Sequence, residues 1–250
     1  SNRLNMKEQI SNVIDLLKGT DVAGCITGSC LLGYFEGQDV DVFLYNEGAF
    51  NKLLYCLYYN PMFLIIEPLE QWKFDEYTER KQSTIDKFGL ISIKFKYNMS
   101  IDVNIILKKG QHNIFDVLSA FDLDIIADGI DIKTQKRLSL RESSGNTATW
   151  NRWNTAYYTN NEWDVKRILR QFERCIKYHK RGYDTSDVVS KYISIVENII
   201  AKEKVFVTER GSEYYDKIQE EMKLALKILN VWKETNEITD EQLGILKTIV

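Results

Sequence analysis

A chain of 250 residues can bury a full hydrophobic core, as one large domain or two smaller ones in contact, and 44% apolar with 28% charged residues excludes a largely disordered polymer. The formal net charge of −3 excludes a surface coated in cations and leaves room for a local basic groove. No apolar run reaches the roughly 18 to 20 residues that cross a bilayer, and no basic-then-apolar leader opens the chain, so a cytoplasmic protein with no membrane partner is expected.

Met6, Ile10, Val13, Ile14 and Leu17 recur at helical spacing, with Gly19 as a stop. Val22 to Thr27 reads as a short buried strand, Gly28-Ser29 as a turn, and Cys30 to Phe35 as a brief helix. From Asp39 to Tyr45 the residues alternate, placing Asp39, Asp41 and Phe43 on one face of a strand and Val40, Val42 and Leu44 on the other. Ala49 to Tyr59 predicts a helix ended by Asn60-Pro61. Met62 to Ile66, Leu90 to Tyr97 and Ser100 to Leu107 predict further strands. Ile114 to Ala120 predicts a helix, Phe121 to Ile126 a strand, and Asp128-Gly129 a turn. After the polar stretch from Glu142 to Asn146, helical patterns take over from about Trp163. Thr185 or Ser186 caps a helix through Lys202, and Thr239 with Gln242 forms a capping box before the last helix. The expected class is α+β, with a mixed-sheet lobe over 1–145 and a helical lobe over 146–250.

Cys25, Cys30, Cys56 and Cys175 form no CxxC pair, and His112 and His179 are the only histidines. A zinc site, a disulfide framework and a histidine-centred triad are all poor fits, so catalysis must lean on carboxylates. Asp39 and Asp41, on alternate positions of one strand, sit roughly 6 to 7 Å apart along it, close enough to share divalent cations. Magnesium takes oxygen ligands and completes its coordination with waters and substrate phosphates, so few protein carboxylates suffice. Asp102, in the alternating run Ser100 to Ile106, is the third candidate. Three carboxylates and two Mg2+ ions, or Mn2+ in their place, suit in-line phosphoryl transfer, with Asp102 accepting the proton of the attacking hydroxyl. Gly28 lets backbone N–H groups approach a phosphate, and Ser29 adds a hydroxyl at the start of a helix whose dipole favours anions.

A strand, a Gly-Ser turn, a short helix and then Asp39-Val40-Asp41-Val42, with Gly28 to Asp41 as the core, resembles the signature of the DNA polymerase β-like nucleotidyltransferase superfamily. Thr27 stands where that signature has a hydrophobic residue. The resemblance implies a polymerase β-like palm, a nucleoside triphosphate substrate, metal-holding roles for Asp39 and Asp41, and a third carboxylate from a later strand, a role that Asp102 matches. A second, shorter stretch, Phe121-Asp122-Leu123-Asp124 with Asp128-Gly129, resembles nucleotidyltransferase-like proteins of large DNA viruses and their relatives. On that branch Asp122 or Asp124 competes with Asp102.

Lys166, Arg167, Arg170, Arg174, Lys177, Lys180 and Arg181 line a helical pattern whose inner face is Ile168, Leu169, Phe172 and Ile176. Such a stripe serves as a solvated face or, opposite the carboxylates, as a grip for triphosphate or RNA backbone, with Arg170, Arg174 and Lys177 as the nucleotide-binding candidates. Trp150, Trp153, Tyr157 and Tyr158 either seal the interface between the lobes or stack a base. The expected function is ATP- or other NTP-dependent nucleotidyl transfer to a hydroxyl, with RNA or a tRNA 3′ end favoured and a small molecule or protein as other acceptors. The competing expectation is an inactive transferase fold that binds nucleic acid, nucleotide or a protein partner.

Overall fold

The computed structural model describes residues 2–34, 39–67, 89–159, 163–206 and 212–249. The chain divides into two compact units, Ser1–Arg141 and Glu142–Val250.

The first unit runs α1 (Asn2–Gly19), β1 (Gly24–Thr27), β2 (Asp39–Leu44), α2 (Glu47–Tyr58), β3 (Phe63–Glu67), β4 (Leu90–Tyr97), β5 (Ile101–Lys108), α3 (Ile114–Ser119), β6 (Asp128–Asp131) and β7 (Arg137–Ser139). Among the described residues the strands form one sheet in the order β3-β4-β5-β2-β1-β6-β7. Within this sheet only the β2–β5 pairing is parallel; α2, β3 and β4 lie between these strands in the chain and supply the length that a parallel crossover needs. Hairpins and antiparallel neighbours make up the other pairings.

Period-2 patterning sets the two faces. Val40, Val42 and Leu44 of β2 and Val103, Ile105 and Leu107 of β5 are buried in the core with Ile10, Val13 and Leu17 of α1 and Phe50, Leu53, Leu54 and Leu57 of α2. Each such side chain contributes about 1.5 to 3 kcal/mol relative to exposure, which fixes which face of the sheet turns inward. Asp39, Asp41, Asp102 and Asn104 are left together on the opposite, half-buried face.

Two expectations change here. The helix after Gly28 is a single 3-10 turn, Ser29–Leu32; Phe35 lies outside the described residues. Phe121 to Ile126 is not a strand: Asp124–Ile126 is a 3-10 turn, and Asp128-Gly129 opens β6 instead of forming a turn. Leu123, Asp124 and Ile125 are all buried, so their alternation does not separate an inner from an outer face. The Asp122 carboxylate accepts the Leu123 N–H at 2.8 Å, a local bond that competes with strand pairing.

The second unit holds α4 (Val165–Lys180), α5 (Ser186–Phe206), α6 (Ser212–Thr235) and α7 (Asp240–Ile249). Its core includes the rings of Trp150, Trp163 and Tyr192, with centroids 5.7 to 6.0 Å apart. The indole N–H groups are satisfied by the carbonyls of Asn154 and Ala156. The capping box forms in both directions, Gln242 N–H to Thr239 Oγ1 and Thr239 N–H to Gln242 Oε1, each 3.1 Å. At the start of α5 the side-chain cap is Asp184, whose Oδ1 accepts from the Ser186 N–H at 3.0 Å and the Ser186 hydroxyl at 2.7 Å; the Thr185 hydroxyl is buried against the Cys175 carbonyl. Among the described residues no helix is long and apolar enough to cross a membrane.

Candidate carboxylate site

The parallel register of β2 and β5 sets Asp39 beside Asp102 and Asp41 beside Asn104. The Asn104 amide nitrogen donates to Asp39 Oδ2 at 3.0 Å and to Asp41 Oδ1 at 2.8 Å, so one amide bridges the two aspartates. The next strand continues both rows, with Lys96 opposite Asp102 and Lys94 opposite Asn104. The Lys96 ammonium lies 3.4 Å from Asp102 Oδ1, an oxygen that is buried and accepts no hydrogen bond, while the Asp102 side chain as a whole keeps 28% of its surface exposed.

Gly28 sits against the backbone of β2. A Cβ there would come 2.9 Å from the Asp39 carbonyl oxygen, and φ of 121° is a conformation that L side chains rarely adopt. The Gly-Ser turn is thus pressed onto the strand that carries both aspartates. Thr27, fully buried, donates its hydroxyl to the Asp41 carbonyl at 3.2 Å; the position with no hydrophobic residue anchors the same strand by a hydrogen bond. Cys30, one residue past Ser29, has its thiol pushed up to about 11, first by burial and then by the negative charges of Asp41 and Asp39, so it stays protonated beside the carboxylates. Because the Ser29 segment is only one 3-10 turn, no helix dipole of useful length stands behind it.

Arg137 of β7 reaches the same turn. Its Nε donates to Asp128 Oδ1 at 2.9 Å, and Nη2 donates to Asp128 Oδ2 at 2.7 Å and to the Leu31 carbonyl at 3.0 Å. The bond to Asp128 raises the guanidinium pKa further.

Asp122 and Asp124 are buried in the approach to β6, which pairs with β1 rather than β2, so the carboxylate in register with Asp39 is Asp102. Arg170, Arg174 and Lys177 lie on α4 in the second unit. Arg170 is exposed, while Arg174 and Lys177 stand 5.9 and 5.6 Å from the centre of the buried Tyr178 ring, and Arg167 stacks on Trp163 at 4.0 Å. Of the aromatic cluster, Trp150 is buried in this unit's own core, whereas Trp153 and Tyr158 are exposed.

Asp39, Asp41 and Asp102 present oxygen acceptors alone, the chemistry that suits Mg2+ or Mn2+ and not zinc or copper. Among the described residues no three His, Cys, Asp or Glu side chains form a group that could hold a metal by themselves. The fit is therefore to an ion whose coordination is completed by water and substrate oxygens, with Asn104 already engaging one oxygen of each β2 aspartate. Asn104, Lys94, Lys96 and Arg137 are not among the candidates that the sequence yields. The first three carry the same two-residue alternation that draws attention to Asp39 and Asp41; Arg137 has no such signal.

No protein-family model and no curated protein matches the sequence. Among solved structures, the Thermotoga maritima CCA-adding enzyme complexed with tRNA-CCA is similar at a TM-score of 0.49 and 13% identity, over 95% of this chain and 61% of that enzyme. The chain thus spans about three fifths (61%) of that enzyme's length, and a likeness at this level assigns no residue and no activity.

Proposed function

We propose that the chain is a divalent-metal-dependent nucleotidyltransferase that moves a nucleoside monophosphate from an NTP to a hydroxyl acceptor. The observation that carries this reading is the β2–β5 register, which stands Asp39, Asp41 and Asp102 on one half-buried face with the Gly28 turn pressed against β2. An oxygen of the acceptor hydroxyl attacks the α-phosphorus, the bond to the β-phosphate oxygen breaks, and pyrophosphate leaves. Asp102 takes the hydroxyl proton, while Gly28 and Ser29 hold the phosphate tail. Asp39, Asp41 and Asp102 would hold two Mg2+ ions, which supply neutralisation of the charge that builds on the phosphate oxygens. Arg170, Arg174 and Lys177 are proposed as further phosphate contacts. The acceptor is proposed to be an RNA or tRNA 3′ end, ahead of a small molecule or a protein, and the protein is proposed to be cytoplasmic.

The test is incubation with labelled nucleoside triphosphates, Mg2+ and bulk RNA or cell extract, followed by fractionation of the labelled product. Label should enter a defined fraction with the wild type, and an Asp39→Ala, Asp41→Ala double variant should lose it by a factor of at least about 10³. Equal labelling by the double variant sinks the mechanism.

The second reading, an inactive fold kept for binding, is favoured by the internal pairing of the carboxylates: Asn104 bridges two and Lys96 lies against the third. Thermal unfolding separates the two readings. An NTP that raises the midpoint only with Mg2+ present favours the enzyme, and no shift with any triphosphate favours the module.

A further inference from the structure

Arg137 is held against the turn after Gly28 by its bonds to Asp128 and the Leu31 carbonyl, yet neither the signature nor the sequence pattern gives it a role. Its guanidinium is fixed by a two-point fork on Asp128, a carboxylate whose side chain is only 10% exposed, and by the bond from Nη2 to the Leu31 carbonyl. Leu31 lies in the 3-10 turn that begins at Ser29, so the anchoring puts the guanidinium directly against the proposed phosphate turn. Of the five N–H donors, the one on Nε and the two on Nη2 are used; among the described residues nothing engages the two on Nη1, and the arginine side chain is 52% exposed. A guanidinium whose plane is already fixed loses little side-chain entropy on binding and offers its free edge to a tetrahedral oxyanion.

We propose that Arg137 is a binding residue for the triphosphate tail, using its Nη1 edge on a non-bridging oxygen of the β- or γ-phosphate while Nε and Nη2 hold it to Asp128 and Leu31. This rests on the nucleotidyltransferase reading and deepens it, since it names the part of the substrate that the β6–β7 hairpin recognises. Asp128 offsets part of the arginine's charge, which suits a site that must release pyrophosphate after each turnover. The ligand class is polyphosphate, so a nucleoside monophosphate should gain little from this residue.

The experiment titrates ATP, ADP and AMP with Mg2+ into wild type, Arg137→Lys and an Arg137→Gln, Asp128→Asn double variant. The double variant removes both charges together, so no buried carboxylate is left without its partner and the protein should stay folded. The expected result is a loss of ATP affinity of about tenfold to a hundredfold in both variants, the size of one charge-assisted hydrogen bond, with AMP affinity unchanged and the loss partly restored by added guanidinium ion. Wild-type binding with undiminished ATP affinity in both variants overturns the role of Arg137 alone. ATP and AMP affinities that fall together would mean that Arg137 only holds the turn, and overturn the contact. A wild type that binds no triphosphate at all overturns both this inference and the transferase reading.

Discussion

Gly28 shows how much of the candidate site depends on one missing side chain. Its φ of 121° and the 2.9 Å separation that an added Cβ would have from the Asp39 carbonyl are separate penalties, one of backbone strain and one of overlap with β2. Gly33, at φ 89° with nothing within 4 Å of an added Cβ, carries only the first. Gly28→Ala should therefore cost about 2 to 4 kcal/mol and Gly33→Ala about 1 kcal/mol, measured by urea unfolding; equal costs would mean that the contact with β2 does not matter. Asn104 makes a second argument at this scale. Its amide supplies two hydrogen bonds that hold Asp39 and Asp41. Asn104→Asp replaces those donors by a further negative charge, so the midpoint in EDTA should fall by several degrees and the rise on adding Mg2+ should grow. A variant whose midpoint ignores both EDTA and Mg2+ would remove the case for a metal at these carboxylates.

At the scale of elements, the sequence conveyed faces well and partners poorly. Alternation placed Asp39 and Asp41 on one face of β2 and Asp102 on one face of β5, and the structure has them there. It could not convey that β5 crosses over to lie parallel beside β2 with Asp39 opposite Asp102, because a period of two fixes the face of a strand and says nothing about its neighbour. The stretch Phe121 to Ile126 failed for a related reason: its apolar residues are buried as a turn, and alternation alone does not tell a strand from a buried turn. Caps were legible where the bonds are local, as at Thr239 and Gln242, but at α5 the capping oxygen belongs to Asp184, one residue before the expected cap. That cap yields a pH prediction. Hydrogen bonds from the Ser186 hydroxyl and backbone N–H hold the Asp184 carboxyl below its ordinary 3.8. A depressed folded pKa contributes stability that is present above about 3.8 and is lost as pH falls through the lower folded value. Unfolding midpoints of wild type and Asp184→Asn should therefore differ at pH 6 and converge as pH is lowered below 3.8; a difference that stays constant across that range would show that the carboxylate charge is not what the cap uses.

At the scale of the molecule, the residues that the proposed chemistry needs first, Gly28, Asp39, Asp41, Asp102, Asn104 and Arg137, all belong to the unit Ser1–Arg141. The helical unit has its own core around Tyr192, and its basic helix α4 already has work in that unit. Arg174, Lys177 and Arg181 surround the ring of Tyr178, which is 2% exposed, so their stems shield an aromatic that would otherwise meet water. A basic stripe in the sequence therefore mixes two kinds of residue that only their surroundings distinguish. Arg170 is exposed on the helix, and removing it should leave stability within about 0.5 kcal/mol of wild type, whereas Arg174→Ala should cost about 1 kcal/mol through Tyr178. On the phosphate reading, Arg170→Ala weakens ATP binding several-fold with no change in the unfolding midpoint, a combination that lost packing cannot produce. If Arg170→Ala binds ATP as the wild type does while Arg174→Ala is merely less stable, the α4 cations are packing residues, and the nucleotide is held by the Gly28 turn, the carboxylates and Arg137.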